Sequence, residues 1–170
     1  MTAGLGTLAL LGGCGTRTRQ TGFRDVSQPL SVTTRADLSA LSGPWFVRGH
    51  FQGDASLAMV TFLPNYNGSP AIEYRTEGCL LSGDCTTETE VQPLLSLGPR
   101  RARDTGTGRE IWLVWIDEGL RTAAIGTPDG SFGWVLDRAP KNGDDRILAA
   151  QEVLEFNGYN VSALSLKEIG

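Results

Sequence analysis

The sequence predicts an all-β domain: an antiparallel up-and-down barrel of about eight strands, followed by one α-helix. Three observations carry this. From Trp45 onward, short alternating or wholly apolar segments recur, with turn residues roughly every 8–12 positions, the spacing of sandwiches and barrels. Only one stretch, beginning at Asp144, carries a helical pattern. Closing the sheet removes exposed strand edges, which favours a barrel over the alternative of a β-sandwich.

The elements follow in order. Trp45 to Phe51 alternates, with Trp45, Val47 and Phe51 on one face and Arg48 and His50 on the other, so the first set is expected inside. Leu57 to Leu63 is apolar on both faces and is expected to stop at Pro64-Asn65. Ala71 to Glu77 sets Ile72, Tyr74 and Thr76 against Glu73, Arg75 and Glu77. Thr87 to Leu94 is weakly patterned, and Leu97 to Thr105 holds a short Arg-rich strand. Glu110 to Asp117 is the strongest strand, with its parity left open because both faces are apolar. Arg121 to Gly126 follows. Pro128-Asp129-Gly130 is turn chemistry. Phe132 to Arg138 then puts Phe132, Trp134, Leu136 and Arg138 on one face. In the helix, Asp144 and Asp145 suit the N-terminal dipole, and Asn157-Gly158 ends it. A last strand is expected over Ala163 to Glu168.

With 170 residues the prior is one domain, large enough to fold around its own core. The net charge of −4 argues against nucleic acid as a partner. Thirteen of the fifteen basic residues are Arg, without any phosphate-binding motif beside them. One His and three Cys do not build a common zinc or His-based catalytic site, so no metal and no cofactor is expected.

An odd cysteine count requires explanation. Leu5 to Leu11 is an apolar run too short to span a bilayer, which takes about 20 residues. It suits the apolar region of a signal peptide and ends in Leu11-Gly12-Gly13-Cys14. This resembles the lipobox of bacterial lipoproteins, with a departure: Met1 to Gly4 lacks the usual basic residues. The resemblance implies that residues 1–13 are a signal peptide and that Cys14 is acylated. Residues 14–35 are then a lipidated tether and residues 36–170 the folded domain. Gly15, in place of Asp, implies the outer membrane, facing the periplasm of a cell envelope. Cys79 and Cys85 flank Ser82-Gly83-Asp84, which is turn chemistry at a hairpin tip. A disulfide is expected there; a redox pair is the alternative, without a Cys-x-x-Cys motif to support it.

Asp37 to Trp45, ending Gly43-Pro44-Trp45, resembles the entry motif of the lipocalins. Trp115-Ile116-Asp117 resembles that family's mid-chain Thr-Asp-Tyr region, but without the Thr and Tyr. Phe132 to Pro140, with Trp134-x-Leu136-x-Arg138-x-Pro140, is similar to the late strand of the bacterial and apolipoprotein D-like branch. The resemblance spans roughly Asp37 to Leu166. It implies structural roles for Gly43, Trp45, Asp117 and Arg138, with Arg138 packed over Trp45 at the closed end of the barrel.

The resemblance also implies a binding protein for a small hydrophobic or amphipathic ligand of the fatty acid or lysophospholipid class, held for storage or transport. The candidate ligand residues are Val47, Phe51, Ile72, Tyr74, Trp112 and Trp134; Trp112 and Trp115 are interchangeable until parity is fixed. Catalysis is not expected. A lipocalin-fold enzyme would have to use His50, which the pattern places outside. A third reading is a scaffolding lipoprotein with a filled barrel, whose Arg100, Arg101 and Arg103 meet anionic headgroups.

Overall fold

The chain was analysed as a computed structural model that describes residues 22–51, 53–79 and 82–167. The leader and Cys14 lie outside the described residues. A 3₁₀ turn, Leu38–Leu41, leads into β1 (Gly43–His50). Then come β2 (Leu57–Tyr66), β3 (Ser69–Cys79), β4 (Cys85–Gly98) and β5 (Arg101–Asp104). The chain continues through β6 (Glu110–Ile116), β7 (Thr122–Gly126), β8 (Gly133–Asp137), α1 (Asp144–Phe156) and β9 (Ser165–Leu166).

Each strand from β1 to β8 pairs antiparallel with its neighbour in sequence, and β8 returns to β1. The first half of β1 pairs with β2 and the second half with β9. The result is a closed eight-stranded up-and-down barrel, as the sequence predicts, with β9 as a short flap. The strand ends at Gly43, Tyr66 and Asp137 define a narrow end, plugged by the 3₁₀ turn. The loops between β1 and β2, β3 and β4, β5 and β6, and β7 and β8 crown the opposite, wide end. The β2–β3 turn is Asn67-Gly68, both with positive φ (51° and 89°). The strand therefore runs through Pro64 instead of stopping there, with an irregular register between Leu63 and Tyr66.

Two apolar layers hold the fold. Inside the barrel, Trp45, Val47, Val60, Ile72, Ile111, Leu113, Ile116, Ile125, Trp134 and Leu136 are all fully buried. Each such side chain contributes about 1.5–3 kcal/mol. Outside, α1 lays Ile147, Ala150 and Leu154, at positions i, i+3 and i+7, onto Val114, Ala124 and Val135.

The segment expected as a free tether is folded over its described part, which corrects the domain boundary. Phe23 donates its backbone N–H to Gly130 O at 2.7 Å and stacks on Phe51 with ring centroids 4.8 Å apart. Gly22 is so close to the β7–β8 loop that a Cβ would sit 2.6 Å from Asp129 O. Arg24 is 2% exposed and bonds only to carbonyls, through Nε to Asn157 O (2.8 Å), Nη1 to Pro128 O (2.9 Å) and Nη2 to Gln28 O. Residues 22–31 thus belong to the domain.

At the narrow end, Trp45 donates its indole N–H to Leu41 O at 2.6 Å. The Arg138 guanidinium lies 3.8 Å from the centroid of that ring and donates to Pro44 O and Ser42 O at 2.8 Å. Gly43, at φ +89°, brings the chain under Arg138. Asp117 accepts backbone N–H bonds from Gly119, Arg121 and Thr122 and so closes the β6–β7 turn. Burial raises its pKa, but those donors outweigh burial and hold it below the ordinary carboxylate value. The cation–π contact and the carbonyl bonds together predict a loss of about 2 kcal/mol on Arg138→Ala, measured by urea denaturation. A loss below about 0.5 kcal/mol would mean the stacked pair does not hold this end.

Candidate functional site

The inward-facing set was only partly legible. Val47, Ile72 and Trp134 lie inside the barrel, fully buried, and half-buried Tyr74 packs against them. The Tyr74 and Trp134 rings meet edge-on, with centroids 6.2 Å apart. Tyr74 donates its hydroxyl to Asp104 Oδ2 at 2.6 Å; burial, and then that bond, pushes its pKa well above the usual tyrosine value.

Phe51 is not inside. β1 carries one extra residue against β8, since Val47 faces Leu136 while Gly49 faces Val135. The alternation slips, so His50 lies opposite Trp134 on the inner face and Phe51 turns outward. There Phe51 packs between Phe23 and Tyr159 beside the helix. His50 was expected outside; it is 6% exposed, with Nδ1 3.0 Å from Phe51 O. Trp112 is also outside, because Ile111 and Leu113 take the interior positions on either side of it. Its indole N–H donates to Glu110 Oε2 at 3.0 Å, and Arg101 lies 5.0 Å over its ring. Trp115 packs with the helix-side cluster after a second slip between Leu113 and Trp115.

At the wide end, where a ligand would enter the expected calyx, described side chains from three loops and β8 bond to one another. Asp54, on the β1–β2 loop, accepts from Trp134 Nε1 and from Arg109 Nη1, both at 3.0 Å. Arg109 in turn covers Phe132 at 4.9 Å, and Phe132 packs on Trp134 at 4.8 Å. A polar cleft of about 480 Å³ lies at this end, between the β5–β6 and β7–β8 loops.

The apolar cavity is at the other end. It has a volume of about 350 Å³ and opens beside the 3₁₀ turn. Leu38 lines it from that turn, Phe62, Leu63 and Pro64 from β2, and Pro70 and Ala71 from β3. Leu94, Ser96 and Gly98 line it from β4 and Ala102 from β5. Three of the lining side chains are small, Ala71, Ser96 and Ala102, and Ser96 and Ala102 face each other across β4 and β5. Its polar edge is Ser39, Ser42 and Asp37. Asp37 pairs with Arg100 at 3.3 Å, and Leu38 N–H donates to Pro99 O at 2.8 Å, which ties the 3₁₀ turn to the β4–β5 turn. Val47, Ile72, Tyr74 and Trp134 line neither cavity.

Cys79 and Cys85 form the disulfide, at the tip of the β3–β4 hairpin and exposed. So short a closed loop gives modest stabilisation, about 2 kcal/mol.

No protein-family model matches this sequence, and no curated protein does either. Solved structures do resemble the barrel. Apocrustacyanin C1 superposes with a TM-score of 0.55 at 10% identity, over 77% of this chain and 78% of that one. Lobster apocrustacyanin A1 gives 0.52 at 11%, over 78% and 79%. The siderocalin Ex-FABP, described as functioning through dual ligand specificities, gives 0.54 at 10%, over 77% and 95%. The fold is that of the lipocalins. Identities this low establish the shared architecture alone, so the site must be argued from its own residues. Among the described residues of this lipocalin-fold chain, an apolar pocket lies at the narrow end, and Asp54, Arg109, Phe132 and Trp134 pack together at the wide end.

Proposed function

We propose that this chain is a lipid-tethered binding protein of the cell envelope that holds a small hydrophobic or amphipathic ligand. The narrow-end pocket carries this reading. At about 350 Å³ it falls at the small end of ligand pockets, and its apolar walls with a few hydroxyls suit an acyl chain. A fatty acid or lysophospholipid would place its tail among Leu38, Phe62 and Leu94, and its head near the Asp37–Arg100 pair. The siderocalin neighbour, named for its ligand specificities, is in keeping with a ligand-binding role. The tether follows from Leu11-Gly12-Gly13-Cys14, with acylation of Cys14 and placement on the outer membrane facing the periplasm. The ligand is stored or transported, not transformed.

The packed interior above the pocket favours a second reading, a scaffold without ligand. One titration separates the two. A fluorescent fatty acid should bind saturably, and Ala102→Phe, which fills the pocket, should weaken binding at least tenfold while the melting temperature stays within a few degrees. Absence of saturable binding would sink the ligand reading and leave the scaffold. Mass spectrometry of protein extracted from its own membrane reads the acylation of Cys14 separately.

A further inference from the structure

The narrow-end pocket carries one charged side chain on its rim and a second directly behind it. Asp37, just ahead of the 3₁₀ turn, lies on the polar edge with Ser39 and Ser42, and Pro99 lines the pocket from the β4–β5 turn. Arg100, the next residue, reaches the same edge. Its Nη2 lies 3.3 Å from Asp37 Oδ1, and its Nε donates to Ala36 O at 3.2 Å. A guanidinium carries more donors than these two contacts use.

Arg138 also touches this edge, but it is committed elsewhere. It stacks on Trp45 at 3.8 Å and donates to Pro44 O and Ser42 O at 2.8 Å and to Ala40 O at 3.4 Å. The Asp37–Arg100 pair is looser. The Arg100 side chain is 31% exposed and that of Asp37 51%, and an ion pair so exposed contributes little. The Asp37 side chain makes no cap bond to the 3₁₀ turn. The turn is held independently by Leu38 N–H, which donates to Pro99 O at 2.8 Å, and by the bond from Arg100 to Ala36. The Asp37 carboxylate can therefore leave Arg100 without releasing the turn.

An anionic head seated at this edge meets opposing influences. The Ser39 and Ser42 hydroxyls can donate to it, while the Asp37 carboxylate repels it. One exchange removes the conflict. The head takes the paired N–H bonds for which a guanidinium is shaped, and Asp37 turns to water. We propose that Arg100 exchanges Asp37 for the anionic head of the bound amphiphile, so that the pocket selects charged single-chain amphiphiles over neutral ones. This rests on the ligand-binding reading above and names its head-group class. Arg100 confers the preference, and Asp37 competes with the ligand for it.

The test titrates decanoic acid and decanol into the protein by calorimetry at neutral pH, where the acid is ionised. The two probes share a chain and differ in the charge of the head. Arg100→Gln should weaken the acid by about tenfold, the worth of one charged hydrogen bond, and leave the alcohol within about twofold. Asp37→Asn removes the competitor and should tighten the acid by about threefold, with the alcohol again unchanged. Arg100→Lys keeps the charge without the paired donors and should fall between the parent and Arg100→Gln. Retained decanol binding reports an intact pocket in each variant. An acid-to-alcohol affinity ratio that does not move overturns the exchange, and so does weaker acid binding in Asp37→Asn. Equal loss of both probes in Arg100→Gln likewise overturns it, since Arg100 would then only shape the turn. Should Arg100→Gln fail to fold, Asp37→Asn decides alone. If neither probe binds the unsubstituted protein, the ligand-binding reading falls and the exchange with it; if both bind and the ratio stays fixed, only the exchange falls.

Discussion

Asp137→Ala should lower the stability of this protein by about 3–5 kcal/mol, the largest loss expected from a single polar substitution in it. Asp137 ends β8 and is fully buried. Its Oδ2 accepts from Arg146 Nη2 at 3.1 Å and from the Thr122 hydroxyl, and its Oδ1 accepts from Ala139 N–H at 2.7 Å. The Thr122 hydroxyl, itself fully buried, also accepts from Arg146 Nε at 2.8 Å. One carboxylate thus joins β7, β8 and the first turn of α1. Its removal leaves a guanidinium whose side chain is only 19% exposed with the Thr122 hydroxyl and the exposed Asp145 carboxylate, 3.9 Å away, as its remaining partners, and it is the loss of the buried counter-charge that makes the effect large. Two further variants test the assignment. Asp137→Asn keeps hydrogen-bonding capacity but not the charge, and should lose roughly half as much. Combining Asp137→Ala with Arg146→Met removes both charges and should be more stable than Asp137→Ala alone. Urea unfolding measures all three; a loss below about 1 kcal/mol for Asp137→Ala would show that the helix is held by its apolar face alone.

The barrel was legible because most strands obey a simple alternation. The run from Phe132 to Leu136, with Phe132, Trp134 and Leu136 inside, is read directly from the sequence. Alternation fails wherever one strand carries an extra residue. The slips at Val47/Gly49 and Leu113/Trp115 exchange the faces of His50 and Phe51 and send both Trp112 and Trp115 outward. Gly49 at the first slip is the residue type that marks a bulge within a strand, a signal the alternation reading passed over, whereas the stretch from Leu113 to Trp115 carries no such mark. The pocket was missed for a different reason. Its lining includes the small side chains of Ala71, Ser96 and Ala102, and small side chains leave no pattern in hydropathy. Two of its walls, β4 and β5, come from the most weakly patterned stretches of the chain. The 22–31 segment was mistaken for a tether because it is held by backbone bonds, one ring stack and a buried Arg, not by a periodic apolar face.

Arg24→Ala is expected to cost about 3 kcal/mol and to free the segment ahead of the barrel. The Arg24 guanidinium joins three separate pieces of chain: the end of α1 at Asn157, the β7–β8 loop at Pro128 and its own turn at Gln28. A bond from a charged donor contributes roughly 1.5–3 kcal/mol, and here the buried carbonyls would lose their donor as well. Lysine cannot reproduce three divergent bonds from a planar group, so Arg24→Lys should recover less than half of the loss. Asp25→Ala, one residue along, removes only exposed bonds to Ser27 and Gln28 and should stay within about 0.5 kcal/mol of the parent. Amide exchange identifies the mechanism. In Arg24→Ala the N–H groups of Phe23, Asp25 and Asn160, which pair the segment with the barrel, should exchange faster by tenfold or more, while those of β6 and β7 change only as far as global stability falls. Uniform acceleration throughout would mean that Arg24 supports the whole fold and not this docking.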